Sequence, residues 1–147
     1  MKLTEQIRAD LTESMKARDA LRTSTLRMLQ AAIQNEQIDK GRELSDDEVL
    51  VVLQRGVKQR QDSIEQYTKG NRPELAEKER SEMALLQTYL PAQMPDEELE
   101  SAVRQVIVDV GASSKKDSGR VMKEMMARFR GRVDGKKVQE IVGRLLP

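Results

Sequence analysis

The chain has 147 residues, of which 35% are charged and 37% are apolar, and its formal net charge is +1. It contains no cysteine and no histidine, which excludes disulfides, thiolate chemistry and the side chain most often used as a general base or metal ligand. No apolar run approaches the length of a membrane span, and the first ten residues lack the apolar core of a signal peptide. The sequence therefore predicts a soluble cytoplasmic protein without membrane contact.

The first forty residues predict two amphipathic helices. The first covers residues 2–18 with Thr4 as a plausible N-cap, and the second covers residues 21–38 and ends at Gly41. The break between them is short, which favours an antiparallel helical hairpin. The predicted apolar stripes are Leu3, Ile7, Leu11 and Met15 on the first helix, and Leu21, Met28, Leu29, Ala32 and Ile33 on the second.

Two longer helices follow. Ser45 and Glu48 have the spacing of a capping box, which predicts a helix from Asp46 to about Lys69. Pro73 suits the first turn of a fourth helix, which is expected to end at Leu90. The residues expected to face inward are Val49, Val52, Leu53, Val57, Ile64 and Tyr67 on the third helix, and Leu75, Met83, Leu86 and Leu90 on the fourth.

A domain boundary is expected at the turn between Pro91 and Pro95, because proline on both sides excludes a continuous helix. The predicted domains are residues 1–94 and residues 95–147. The expected fold is all-α, with an N-terminal domain built from a helical hairpin and long helices, followed by a small C-terminal three-helix bundle.

The C-terminal bundle is predicted to begin with a helix over residues 96–110 that Gly111 terminates, followed by a loop over residues 112–116. Two short helices then form a hairpin around Gly131 and Gly135, and Asp134 is expected to cap the last helix. Inward stripes are Leu99, Val103, Val106, Ile107 and Val110, then Met122, Met125, Met126 and Phe129, then Val138, Ile141, Val142 and Leu145. We expect the methionines to be core, a Met-rich docking groove being the alternative, and Phe129 to be the buried centre of the bundle.

The basic side chains of the last third are the main functional signal. Residues 111–147 hold ten Lys and Arg against four acids, a balance of +6, whereas residues 1–110 have a balance of −5. This segregation predicts an acidic body with a basic module that contacts the phosphates of a folded nucleic acid. The candidate nucleic-acid-binding residues are Lys115, Lys116, Arg120, Lys123, Arg128, Arg130, Arg132, Lys136, Lys137 and Arg144.

Other chemistry is weakly supported by the sequence. The carboxylates at positions 74, 77, 79 and 82 have basic residues between them, so we interpret them as a solvated helix face, with an all-carboxylate Mg²⁺ site as the alternative. The amides at the start of the last helix could bind an anion, but capping by Asp134 is the favoured use. No catalytic, cofactor-binding or metal-binding residue is predicted.

The last third also resembles the signature of the GatB/YqeY family, which comprises small YqeY-like proteins and the C-terminal tail of the B subunit of tRNA-dependent amidotransferases. The resemblance extends over nearly the whole chain, through segments such as residues 26–29, 57–60 and 89–91. The residues of the last third that carry it are Asp117, Gly119, Val121, Met122, Gly131, Asp134, Gly135, Val138, Ile141, Val142 and Leu145.

The resemblance implies an all-α fold and a C-terminal bundle related to the amidotransferase tail that helps to hold tRNA. It also implies the family label of a carbon–nitrogen ligase with glutamine as amide donor. The chain has no counterpart of the amidase Ser–Ser–Lys machinery and no ATP motif. The expected function is therefore a tRNA-binding accessory module without its own catalytic centre or cofactor. Its candidate partners are tRNA and an aminoacyl-tRNA or amidotransferase-related protein. The alternatives are a helical protein–protein adaptor with no RNA role and an amido-ligase that works as part of a complex.

Overall fold

The computed structural model describes residues 1–147 and contains seven α-helices and no β-strand, which confirms the all-α fold class. None of these helices combines the length and the apolar character that crossing a bilayer requires. The helices are α1 (Leu3–Lys16), α2 (Ala20–Lys40), α3 (Asp46–Lys69), α4 (Pro73–Gln87), α5 (Asp96–Val110), α6 (Ser118–Arg128) and α7 (Gly135–Leu145), and a 3-10 turn, Lys115–Asp117, precedes α6.

Backbone proximity divides the chain into two compact units, Met1–Leu90 and Pro91–Pro147. Each unit has its own apolar core. The domain boundary predicted at residue 94 stays a prediction that the folding of separate fragments can test.

The first unit begins with a hairpin of α1 and α2. Asp19 caps α2 by accepting a hydrogen bond from the Arg22 amide at 3.1 Å. Behind the turn, the Ser14 and Thr23 hydroxyls share a hydrogen bond of 2.9 Å. The C-terminal end of α2 is Gly41, whose φ of +70° is the left-handed conformation that favours glycine.

The buried faces of α1 and α2 differ in part from the predicted stripes. Ser14 is buried and Met15 is exposed, because positions four apart advance by about 40° on a helix and drift off one face after three steps. On α2, Leu26 is fully buried whereas Leu21 and Met28 are exposed. The stripe on α2 is therefore rotated relative to the predicted one.

Helices α3 and α4 pack against each other. The predicted capping box of α3 is confirmed: the Ser45 amide donates to Glu48 Oε1 at 3.0 Å, and the Glu48 amide donates to Ser45 Oγ at 3.3 Å. Gly56 lies where the two helices approach, since a Cβ there would come within 3.0 Å of Leu86 Cδ1. This glycine weakens the α3 helix intrinsically but permits the close approach of α4.

Two helix ends of the first unit differ from prediction. Thr4 lies inside α1, whose N-cap is Lys2. Helix α4 ends at Gln87 and not at Leu90, and a short turn follows. In that turn the Tyr89 hydroxyl donates to Asp10 at 2.5 Å, which ties the end of α4 to α1.

The carboxylates of α4 were predicted to form a solvated helix face, but one of them is buried. Glu82 is 5% exposed and its Oε2 lies 3.3 Å from Nε of Arg60 on α3, which is 8% exposed. Nη1 of Arg60 also donates to the Gly56 carbonyl at 3.2 Å, while its Nε has no aligned hydrogen-bond acceptor. Burial of Glu82 follows from its position one turn before the buried Leu86 on the α3-facing side of α4.

The second unit is a bundle of α5, α6 and α7. Helix α5 covers the predicted residues and ends at Gly111, which has a φ of +68°. The segment before α5 also belongs to this unit, because Met94 is buried in its core and its amide donates to the Arg132 carbonyl at 2.9 Å. The buried core consists of Met94, Leu99, Val103, Val106, Val121, Met125, Val133, Val138, Val142 and Leu146.

Two expectations for this bundle are corrected. Phe129 is only partly buried and forms the C-cap of α6, whereas Val121 and Met125 are fully buried. Phe129 falls outside the helix, so the four-residue spacing that placed it on the inner face no longer applies. The predicted loop over residues 112–116 is in part the 3-10 turn, which Asp117 closes by accepting from the Ser113 and Ser114 amides at 2.9 and 3.4 Å.

Candidate nucleic-acid interface

The candidate basic residues lie along the hairpin of α6 and α7 and on the turns next to it. Lys115 and Lys116 are on the 3-10 turn, and the others lie on α6, on the connection at residues 129–134, or on α7. Most of these side chains are exposed, Arg132 being half-buried. The structure therefore presents these side chains on one short segment, but some of them are paired with acids and others are not.

Four of the ten side chains are paired with acids of α5. Arg128 contacts Asp109 at 2.7 Å, and Arg144 contacts Glu100 at 3.0 Å. Two longer pairs join Arg132 to Glu98 at 3.8 Å and Lys137 to Asp96 at 3.4 Å. The acids of α5 therefore neutralise part of the basic segment.

Arg128 has the strongest set of partners among these pairs. Its Nε also donates to Glu124 Oε1 at 2.8 Å, so one guanidinium bridges α5 and α6. Hydrogen bonds from Arg128 and Gln105 lower the pKa of Asp109, and the two carboxylates raise the pKa of Arg128. A side chain held in this way is a poor candidate for a phosphate contact.

Arg120 has a structural role within the bundle. Its guanidinium donates to the Val110 carbonyl at the end of α5 and to Asp117 Oδ1, both at 2.9 Å. Hydrogen bonds from the Ser113 amide and from Arg120 lower the pKa of Asp117. Arg120 therefore fixes the turn between α5 and α6, which the sequence pattern did not reveal.

The side chains of Lys115, Lys116, Lys123 and Lys136 make no ion pair and no hydrogen bond. Arg130 has an interaction partner of its own within the chain. These four lysines have no partner in the chain and are free to meet an external anion. Within the predicted set, the structure thus separates four available cations from six that already have partners.

The start of α7 is capped as predicted. Asp134 accepts a hydrogen bond from the Lys136 amide at 3.0 Å. The carboxylate occupies the position that an external anion would need, so this helix terminus offers no separate anion site. No group of three or more acidic side chains is arranged to hold a metal ion.

The separation of charge between the two halves is smaller than the sequence division implied. Residues 1–90 hold 15 Lys and Arg against 16 acids, and residues 91–147 hold 11 against 9. The two units therefore carry −1 and +2, because the acidic helix α5 belongs to the same bundle as the basic hairpin. The positive character is local to α6, α7 and the 3-10 turn.

Comparison with known proteins identifies related chains from fungi. A protein named Altered inheritance of mitochondria protein 41, mitochondrial, from Lachancea thermotolerans is 33% identical over 112 residues, covering 74% of this chain and 59% of the relative. The protein of the same name from Kluyveromyces lactis is 34% identical, covering 73% and 60%. That from Pyrenophora tritici-repentis is 29% identical over 146 residues, covering 94% and 80%. The chain spans about three fifths of the length of the first two relatives.

These relatives correct the expected location. They are named as mitochondrial proteins, so the plain cytoplasmic prediction is wrong as a statement about this group of proteins. The prediction rested on the lack of a membrane-length apolar run and of the apolar core of a signal peptide, and neither feature identifies the compartment in which a chain works.

The family comparison covers almost the entire chain and confirms the resemblance. The model of the Yqey-like protein family matches residues 4–146, which include all seven helices apart from the first residue of α1. The chain belongs to the YqeY-like protein family.

Proposed function

We propose that this chain is a tRNA-binding accessory module related to glutamine-dependent tRNA amidotransferases. The observation that carries the proposal is the group of unpaired lysines on the α6–α7 hairpin and the preceding 3-10 turn. A second support is the resemblance of the motif residues in this segment to the tail of the amidotransferase B subunit.

The proposed contact is electrostatic and is made to phosphates. Lysine ammonium groups act as point charges on phosphates, and their binding releases counterions. Phe129 is the sole aromatic residue of the second unit, and its packing against the core leaves little of its ring for base stacking. The ligand chemistry is therefore that of a folded RNA read through its backbone and shape.

The proposal includes no catalytic step in the isolated chain. With no histidine and no cysteine, the chain lacks the usual base and nucleophile of glutamine hydrolysis. Any ligase activity would need a partner related to amidotransferases. Ammonia release from glutamine by the purified chain, above that of a heat-inactivated sample, would contradict this part of the proposal.

A binding experiment tests the RNA contact. The double variant Lys116→Glu/Lys123→Glu reverses two unpaired charges and breaks no contact of the fold. Binding of total tRNA in a filter assay should weaken at low salt and converge with the wild type at high salt. Each lost phosphate contact should lower the log–log salt slope by about 0.7–0.9.

The matched control is Lys58→Glu/Lys78→Glu in the first unit. It changes the net charge by the same amount at two exposed lysines of α3 and α4 that also make no ion pair. This control should bind tRNA with a salt slope close to that of the wild type. Equal tRNA affinity of the wild type and the hairpin variant across the salt series would refute the RNA proposal.

A second candidate function is a helical protein–protein adaptor with no RNA role. The observation that favours it is the internal pairing of Arg120, Arg128, Arg132, Lys137 and Arg144, which reduces the charge available to RNA. Under this alternative both double variants above would bind tRNA equally weakly and with the same salt dependence as the wild type.

A further inference from the structure

The solvent-facing side of α2 is uncharged over three turns. In a chain with 35% charged residues, each exposed position of α2 between Met28 and Ile38 has an apolar or neutral side chain. Met28 is 55% exposed and Ile38 is 76% exposed. We define this α2 face by its exposed residues Met28, Ala31, Ala32, Gln34, Asn35 and Ile38.

The geometry of the helix makes this a continuous surface. At about 100° per residue, Met28, Ala31, Asn35 and Ile38 fall within a sector of about 80°. The acid in this stretch, Glu36, lies outside the sector, is half-buried, and pairs with an arginine of α3. The exposed charged residues of α2 that flank the α2 face are therefore at its two ends.

Those ends carry opposite charges that have no partner of opposite sign in the chain. Arg27 is exposed, and its guanidinium contacts only the sulfur of Met15, at 3.4 Å. Asp39 is exposed and makes no ion pair or hydrogen bond. The two residues are twelve positions apart, which corresponds to about 18 Å along the helix.

We propose that a second copy of this chain docks on the α2 face, with the two α2 helices antiparallel. Arg27 and Asp39 are equally far from residue 33, as are Met28 and Ile38. A two-fold axis beside residue 33 therefore places Arg27 level with Asp39 of the second copy along the helix axes, and a crossing angle between the two helices brings these side chains together. The two-fold axis repeats this ion pair, so Arg27 and Asp39 of both copies gain a partner, as in a self-complementary interface.

The composition of the α2 face suits this occupant. Ala31 and Ala32 lie next to the proposed axis, where small side chains allow the two helices to approach closely. Arg27 and Asp39 lie on opposite edges of the face, about 120° apart, which fits helices that cross at an angle, as in the commonest class of helix packing. A partner whose surface carries charges of one sign would attract one of these two residues and repel the other.

Mass measurement with charge variants tests this proposal in the absence of RNA. In a concentration series by light scattering, the wild type should rise from the monomer mass of 16.7 kDa toward twice that value. Arg27→Glu and Asp39→Lys should each place like charges opposite one another at both ends and weaken association by about tenfold or more.

Mixing the two single variants is the decisive experiment. An equimolar mixture of Arg27→Glu and Asp39→Lys should dimerise, because all pairs in the mixed dimer are of opposite sign. The double variant Arg27→Glu/Asp39→Lys should also dimerise with itself. Lys78→Glu, a charge reversal of equal size away from α2, should behave as the wild type, and circular dichroism should show that all variants remain folded.

Two results would overturn the proposal. One is a wild type that stays monomeric at every concentration up to its solubility limit. The other is a dimer whose mass and dissociation constant are unchanged by either single charge reversal, which would place the interface elsewhere. Neither result bears on the lysines of the proposed tRNA contact, so the two proposals fail independently.

Discussion

At the scale of single residues, burial separates charged side chains that look alike in the sequence. Glu74, Glu77 and Glu79 are exposed or half-buried, whereas Glu82 is buried against Arg60. Burying the two charges of an ion pair costs desolvation free energy, and the attraction between the charges offsets that cost. This pair therefore fixes how α3 packs against α4 and contributes little to the free energy of unfolding.

The variant Glu82→Ala should be strongly destabilising, because it leaves the Arg60 guanidinium buried without an anion. We expect a loss of about 3–5 kcal/mol in the free energy of unfolding, measured by urea denaturation. Replacing both residues by apolar ones, Arg60→Met with Glu82→Leu, should be close to neutral. A single variant as stable as the double variant would show that the pair is not buried in solution.

Tyr89 supplies a pH-dependent contribution to the first unit. Its partial burial, together with the hydrogen bond to Asp10, raises the pKa of Tyr89 above its ordinary value of about 10. A raised pKa in the folded state means that this stability is present below about pH 10 and is lost as pH rises above it. Tyr89→Phe should therefore be less stable than the wild type at pH 7, by about 1 kcal/mol.

The difference between Tyr89→Phe and the wild type should shrink between about pH 9 and pH 11. Lysine titration affects both proteins equally, so the comparison isolates Tyr89. Denaturation at four pH values in this range measures the difference. A constant difference would mean that the Tyr89 hydroxyl does not keep its proton preferentially in the folded state.

At the scale of helices, the residues that begin and end a helix act locally, whereas the face that the helix buries depends on more distant contacts. Ser45 with Glu48, Asp134, Gly41 and Gly111 all act at the predicted helix ends. Capping depends on backbone groups within four residues, so the local sequence contains what is needed. The face that a helix buries depends instead on its neighbours.

Helix α6 offers a test of that distinction. Met125 is fully buried, whereas Phe129 lies at the C-cap and is partly exposed. Met125→Ala should cost about 2–5 kcal/mol, and Phe129→Ala should cost less than the value of about 3–5 kcal/mol for a fully buried phenylalanine. Urea denaturation of both variants shows which one loses more free energy of unfolding. A larger loss for Phe129→Ala would mean that Phe129, and not Met125, is the centre of the bundle.

At the scale of the whole molecule, the chain consists of two units with separate cores. The acids of α5 and the basic residues of α6 and α7 belong to one of them. Their pairing keeps the bundle close to neutral while leaving four lysines available. The functional question therefore concerns a local patch and not an overall attraction between a basic protein and RNA.

Fragments test the division of the chain. Residues 91–147 should fold alone and melt cooperatively, because their core and its hydrogen bonds lie within the fragment. Residues 95–147 should be less stable, since they lack the buried Met94, whose loss should cost about 2–5 kcal/mol. Circular dichroism melts of both fragments measure this, and a random-coil spectrum for residues 91–147 would contradict independent folding.

The sequence by itself determined the all-α class and the approximate span of most helices, because propensity, capping and apolar periodicity act within a few residues. The family followed from the resemblance of its motif residues, which the family comparison confirmed. The sequence also marked the basic segment. Only the tertiary structure decided which of those cations are available, since Lys137 pairs with Asp96, 41 positions away, and Arg144 with Glu100. It likewise decided that Glu82 is buried and that Met28 is exposed. Periodicity defines a helix face only to within several tens of degrees, and the packing of neighbouring helices selects the part of it that is covered.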